Sequence, residues 1–213
     1  MFHSIKKGDS IAIPETLYYD VDARNPMYSS YSTSKVRIGF FGVTIDSNPK
    51  DFVYYSDYLL ESKAVVNTLK MAGSDIIVGL THLKLAQDIQ VAEASPSIDF
   101  IMGGHEHNNM LVPTSGATVA KADANAKSVY VHTLVYDLAT KTSAISSELV
   151  LITDKVPSLP RVQKVVSKWD AILEQEIKTV VDNPNEVIYK TEDFLDGTDT
   201  PTRSTQTNLG VLI

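Results

Sequence analysis

Two histidines stand one residue apart in "GGHEH", residues 103–107, directly after the apolar run "IDFIM". A third, His82, closes another apolar run, "DIIVGLTH", residues 75–82. Neutral imidazole is a good ligand for Zn, Mn, Fe, Co and Ni. His82, His105 and His107 could complete a mononuclear site with one water in the remaining position. A pair of ions would need more: carboxylates or amides able to hold them ~3.5–4 Å apart. Asp46, Asp88, Asp99 and Glu106 are the nearby acids, and of these only Asp46 falls at another strand tip. Gly103 and Gly104 let the backbone turn tightly and come close to a bound ion. Each piece has a plainer reading: His82 as a buried, hydrogen-bonded histidine, and "GGHEH" as a polar loop. Their conjunction on two strand tips favours metal binding. His3 and His132 read as surface or strand histidines, and Trp169 as packing.

The elements that must position these residues follow from hydrophobic spacing. "KVRIGFFGVTID", 35–46, is a short β-rich apolar run and reads as a central strand buried on both faces. "DYLLESKAVVNTLKMA", 57–72, has helical spacing, with Gly73 placed to end it. A second strand over 75–82, a helix over "KLAQDIQVAEAS" and a third strand over 98–104 follow. Alternating strands and helices predict right-handed parallel crossovers. In such a sheet, ligands collect outside the carboxyl ends of the strands, where the three histidines fall. Residues 110–153 alternate with period two and predict antiparallel strands. The prolines of "VPSLPRVQ" punctuate the chain before a strongly amphipathic helix over 161–181 that Pro184 ends. "EVIYKTED" is a strand candidate, "DGTDTPTR" reads as a solvated turn, and a helix begins near Ile213. Residues 1–34 read as irregular, with a short strand around Ile11. The predicted fold is a layered α/β unit with a strand-rich second half.

Composition narrows the function classes. The chain has 213 residues, 43 % of them hydrophobic and 21 % charged, which permits a sizeable core. Its net charge of −7 offers no basic surface for a nucleic-acid polymer. Without cysteine, thiolate metal sites, disulfides and a cysteine nucleophile are excluded. No transmembrane run is present and no secretory signal is expected, so the compartment stays open. "GFFGVT" lacks the G-x-G-x-x-G pattern of a dinucleotide site.

On these residues the chain resembles the 5′-nucleotidase family of the calcineurin-like metallophosphoesterase superfamily. "VRIGFFGVT", "DIIVGLTHLKLAQDIQVA" and "SIDFIMGGHEHN" are similar to the family's central strand, its strand–histidine–helix segment and its G-H-x-H signature. "ADANAKSVYVHTLVYDL" resembles the strands that follow, and "TRSTQTNLGVLI" the start of the family's C-terminal domain. The resemblance covers roughly residues 35–213. It implies a layered α/β/β/α metallophosphoesterase sandwich, present in part, over residues 1–155. A connector helix over 156–183 and the start of a second domain over 184–213 would follow. Residue by residue, it implies that His82 and His105 bind one metal of a pair and His107 the other. The implied cofactors are two divalent ions, of Zn, Mn, Fe, Co or Mg. The implied substrates are nucleotides, either nucleoside monophosphates or 2′,3′-cyclic nucleotides.

The departures matter as much. The family's D-x-H and N-H-E or N-H-D motifs do not occur, and the single G-D pair, Gly8–Asp9, does not end an apolar strand. Gln206 and Val211 stand where the family often has Glu and Asn. The resemblance therefore implies an interior piece of a longer metal-dependent nucleotide phosphohydrolase, with little activity of its own and one sheet edge exposed. Two other readings stay open. One is a non-catalytic metal-binding or interaction module that keeps the fold. The other is a mononuclear three-histidine hydrolase with Glu106 as base.

Overall fold

The computed structural model describes residues 3–6, 9–12, 16–24, 31–47, 49–187, 189–197 and 199–212. The chain divides into two compact units, Met1–Val156 and Pro157–Ile213.

The first unit opens with a hairpin of β1 (His3–Lys6) and β2 (Asp9–Ala12), then β3 (Thr16–Arg24) and β4 (Tyr31–Thr44). The side chain of His3 and the residue Gly8 lie outside the described residues. Next come α1 (Tyr58–Met71), β5 (Ile76–His82), α2 (Leu85–Ala94) and β6 (Phe100–Gly103). The unit closes with β7 (Met110–Pro113), β8 (Thr118–Lys121), β9 (Ser128–Asp137) and β10 (Thr142–Leu151). Six strands form one sheet in the order β3-β4-β5-β6-β8-β7. Strands β4, β5, β6 and β8 run parallel, and β3 and β7 are antiparallel edges.

Strand parity builds two cores on the two faces of this sheet. Phe41, Ile77, Ile101 and Val119 face one way and pack with Val66 and Leu69 of α1 and Val91 and Ala92 of α2. Val36, Ile76 and Val78 face the other way, with Ile38, Phe40 and Met102, against Leu134 and Tyr136 of the β9–β10 hairpin. A parallel sheet covered on both faces needs apolar residues at nearly every position, and that is why these strands read as unbroken apolar runs. The result is a layered α/β fold: helices, main sheet, hairpin. On the hairpin's other face Val129, Val131 and Val135 are exposed.

Local chemistry sets the helix limits. Asp57 caps α1 by accepting from the backbone N–H groups of Leu59 and Leu60. At the other end Gly73 takes φ +79°, and the N–H groups of Gly73 and Ser74 donate to the Lys70 and Leu69 carbonyls.

Several expectations are corrected. Residues 16–24 and 31–34 are strands rather than irregular. Their polar–aromatic sequence has no clean period, but antiparallel pairing of β3 with β4 draws them into the sheet. That pairing makes β3, rather than β4, the edge strand on this side of the sheet. Strand β8 joins the parallel sheet beside β6, while β7, which precedes it, takes the edge.

In the second unit, α3 (Pro160–Lys178) carries the amphipathic pattern and stops well before Pro184. Residues 186–187 and 189–193 are not strand. The described residues of this unit offer them no strand to pair with. Part of the expected turn at 196–203 is instead the short helix α4 (Asp199–Ser204), followed by α5 (Asn208–Leu212). Asn208 ties the unit's end to its middle, accepting from the Asp196 N–H at 2.7 Å and donating to the Phe194 carbonyl at 2.8 Å. No helix among the described residues is long and apolar enough to cross a membrane.

Candidate metal centre

The parallel register brings four strand ends side by side. Thr44 pairs with His82, while Thr81, Gly103 and Lys121 sit level with one another. Beyond the strands the ladder continues: Ile45 N–H donates to the His82 carbonyl at 2.9 Å, and Gly104 N–H to the Thr81 carbonyl at 2.8 Å. His82 and the "HEH" loop therefore leave the sheet at the same edge.

His82 and His105 meet there edge-on, with ring centroids 5.4 Å apart and planes at 80°. Two imidazoles sharing one ion, each nitrogen ~2.0–2.1 Å from it, have ring centres about 5 Å apart, so this pair fits half of a ligand shell. His105 is half-buried, and His82 and His107 are exposed. Among the described residues no group of three His, Cys, Asp or Glu side chains that could hold a metal forms.

Each glycine of "GGHEH" makes room for a particular side chain. A Cβ on Gly104 would stand 3.0 Å from His82 Nδ1. A Cβ on Gly103 would stand 2.8 Å from Lys121 Cε and 3.2 Å from Asp88 Oδ2. Immediately after them His105 adopts φ +82°. A non-glycine residue in this region costs on the order of 1–3 kcal/mol and persists only where neighbours over-determine it.

Those neighbours are charged and buried. Lys121, the last residue of β8, shares the helix-facing side with Val119, and its side chain is fully enclosed. Its Nζ pairs with Asp88 Oδ2 at 2.7 Å and with Glu106 Oε2. It also donates to the carbonyls of Leu83 at 2.7 Å and Gly104 at 2.9 Å. The other oxygen of Glu106 accepts from the Leu85 N–H at 2.7 Å. Burial pushes the Asp88 carboxyl above its usual range despite the Lys121 ammonium. Burial also acts to raise Glu106, but its bonds to Lys121 and the Leu85 amide outweigh that and hold it below the usual range. Both oxygens of Glu106 are engaged, which does not suit it to act as a base.

The far side of the loop is held as well. Asp123 accepts from the Asn109 N–H at 2.9 Å, from Asn109 Nδ2 and from Ser128 Oγ, and Ala124 N–H donates to the His107 carbonyl at 3.1 Å. Ser128 and Asn109 keep the Asp123 carboxyl low.

Of the four acids singled out in the sequence, Asp88 and Glu106 serve Lys121. Asp99 accepts from Ile77 N–H and Ser143 Oγ. Asp46 lines a cavity of about 370 Å³ with Tyr55, Asp57, Tyr58 and Lys84, at the ends of β4 and the starts of both helices. Lys121 and Asp123 went unnoticed because a lysine ending a strand and an aspartate in a turn both read as solvated. One signal was available: Asp88 lies on the same helical face as Leu85 and Ala92, so a buried acid in want of a cation was implied. His132 stands on the inner side of β9, 2.9 Å from Ser147 Oγ and tilted against Phe100, and burial lowers its pKa.

No family model and no curated protein matches the chain. Solved structures do. The 5′-nucleotidase precursor from Thermus thermophilus superposes with a TM-score of 0.60 at 22 % identity, over 85 % of this chain and 37 % of that one. The sulfate thiohydrolase SoxB from the same organism gives 0.60 at 16 %, over 77 % and 30 %. A putative 5′-nucleotidase from Staphylococcus aureus gives 0.54 at 16 %, over 76 % and 35 %. The chain shares the fold of these structures. It spans about a third of the length of these chains, 30 % to 37 %.

Proposed function

We propose that this chain supplies one half of the binuclear metal site of a nucleotide phosphohydrolase. The substrate is a nucleoside monophosphate or a cyclic nucleotide, and hydrolysis requires further ligands beyond those described here. The observation that carries the reading is the approach of His82 and His105 at neighbouring strand tips, in a fold shared with two 5′-nucleotidases. His82 and His105 bind one ion and His107 the second. In domain terms, residues 1–155 form the C-terminal half of the metallophosphoesterase unit, 156–183 a connector helix and 184–213 the start of a further domain.

The chain's own residues bind and orient. The imidazoles donate neutral nitrogens, Gly104 leaves the space in which His82 sits against the loop, and β8 fixes the loop from beneath. Bound divalent ions would supply phosphoryl polarisation and a water of lowered pKa.

A second reading is a non-catalytic metal-binding or interaction module that keeps the fold. Phosphate release from AMP by the purified 213-residue chain with added Mn²⁺ or Zn²⁺ is expected at background. Release restored by co-expression with a segment bearing D-x-H, G-D and N-H-E motifs supports the enzyme reading. No restoration, with metal still bound, favours the module. Robust release by the chain alone contradicts the half-site.

A further inference from the structure

We propose that Lys121 is a positioning residue, a built-in cation that holds the "GHEH" loop in its metal-binding geometry through Glu106 and the Gly104 carbonyl. The inference rests on the metal reading of His82 and His105 and goes beyond it, because neither Lys121 nor Glu106 is among the proposed ligands.

His105 is bracketed by the two contacts. On one side the Gly104 carbonyl accepts from Lys121 Nζ at 2.9 Å, and on the other the Glu106 carboxylate pairs with the same nitrogen. Between them lies the positive φ of His105, +82°. A strained residue whose two neighbours are tied to one buried atom is held from both sides. The anchor itself is fixed: Lys121 is also bound to Asp88 and to the Leu83 carbonyl, just past His82 at the end of β5. One ammonium therefore joins the chain just past His82, at the end of β5, to the segment after β6 that carries His105. The three donors of the ammonium go to the Leu83 and Gly104 carbonyls and to Glu106, and Asp88 Oδ2 is held beside it as an ion pair.

Gly103 bears on the same device. Any side chain there would meet Lys121 Cε at 2.8 Å, so the first glycine of the motif makes way for the lysine stem rather than for an ion. Partners that orient ligating histidines from outside the ligand shell typically change metal affinity about 10–100-fold when removed.

The test uses the whole chain and Co²⁺ alone as probe. Glu106→Ala cuts the latch while leaving the buried Lys121–Asp88 pair in place, and circular dichroism checks the fold. Glu106→Gln keeps an oxygen for Lys121 and Leu85. Glu106→Ala should weaken Co²⁺ binding about tenfold or more and alter the visible cobalt spectrum. It should also speed amide exchange at Gly104 in the metal-free protein. Glu106→Gln should recover most of each change. If Glu106→Ala folds and matches the parent in affinity, spectrum and exchange while His105→Ala loses cobalt, Lys121 is not a positioning residue and the metal reading stands. If His82→Ala and His105→Ala both bind cobalt like the parent, the metal reading fails and takes this proposal with it.

Discussion

Asp88→Ala should be the most damaging single truncation at the buried lysine. Asp88 and Lys121 are both fully enclosed, with 2.7 Å between their charged atoms. Removing one partner of a buried pair costs ~3–5 kcal/mol because the other charge is stranded. Here Glu106 remains beside Lys121, and two carbonyls accept from it. The loss should therefore fall at the low end, about 3 kcal/mol. For a unit of this size, Met1–Val156, that corresponds to a fall in Tm of roughly 6–12 °C. Asp88→Asn keeps the volume and removes the charge, so it separates electrostatics from packing. The comparison is Asp20→Ala, which breaks the exposed Arg37–Asp20 pair in the same unit and should leave Tm close to that of the parent. Urea and thermal denaturation followed by circular dichroism measure all three. If Asp88→Ala and Asp88→Asn both lie within about 1 kcal/mol of the parent, the buried charge network is not what holds this end of the sheet.

Further outcomes follow from the same geometry. Gly104→Ala places a Cβ 3.0 Å from His82 Nδ1, so divalent metal affinity should drop while Tm changes little; equilibrium dialysis with Zn²⁺ beside a thermal scan checks the pair. Burial lowers the His132 pKa in the folded state, so the unfolded chain binds the extra proton first as pH falls. Its contribution to stability is thus intact above the unfolded value of ~6.5 and declines as pH drops from there toward the folded pKa. His132→Leu should flatten that part of the stability–pH curve in parallel urea titrations.

Much of the site was legible because its parts are local. The apolar runs that end at His82 and before Gly103, the amphipathic helix closed by Gly73, and the turn after β6 all declare themselves over short stretches of chain. The N-terminal strands do not. Residues 16–24 have no period of their own and become β3 only by pairing with β4, as far along as Thr16 against Phe41. The exchange of β7 and β8 in the sheet order is likewise a long-range outcome. It decides that Lys121, rather than a residue of β7, lies beside Gly103. The lysine's role was hidden for that reason, and the buried Asp88 was the single local trace of it.

The central claim is that His82 and His105 ligate the same ion. Imidazole ¹⁵N shifts of the purified chain, followed as Zn²⁺ is added, test it most directly. The account predicts that both rings shift together along one saturation curve, and that His82→Ala abolishes the response of His105. Rings that titrate independently, or a His105 response that survives the loss of His82, would contradict it.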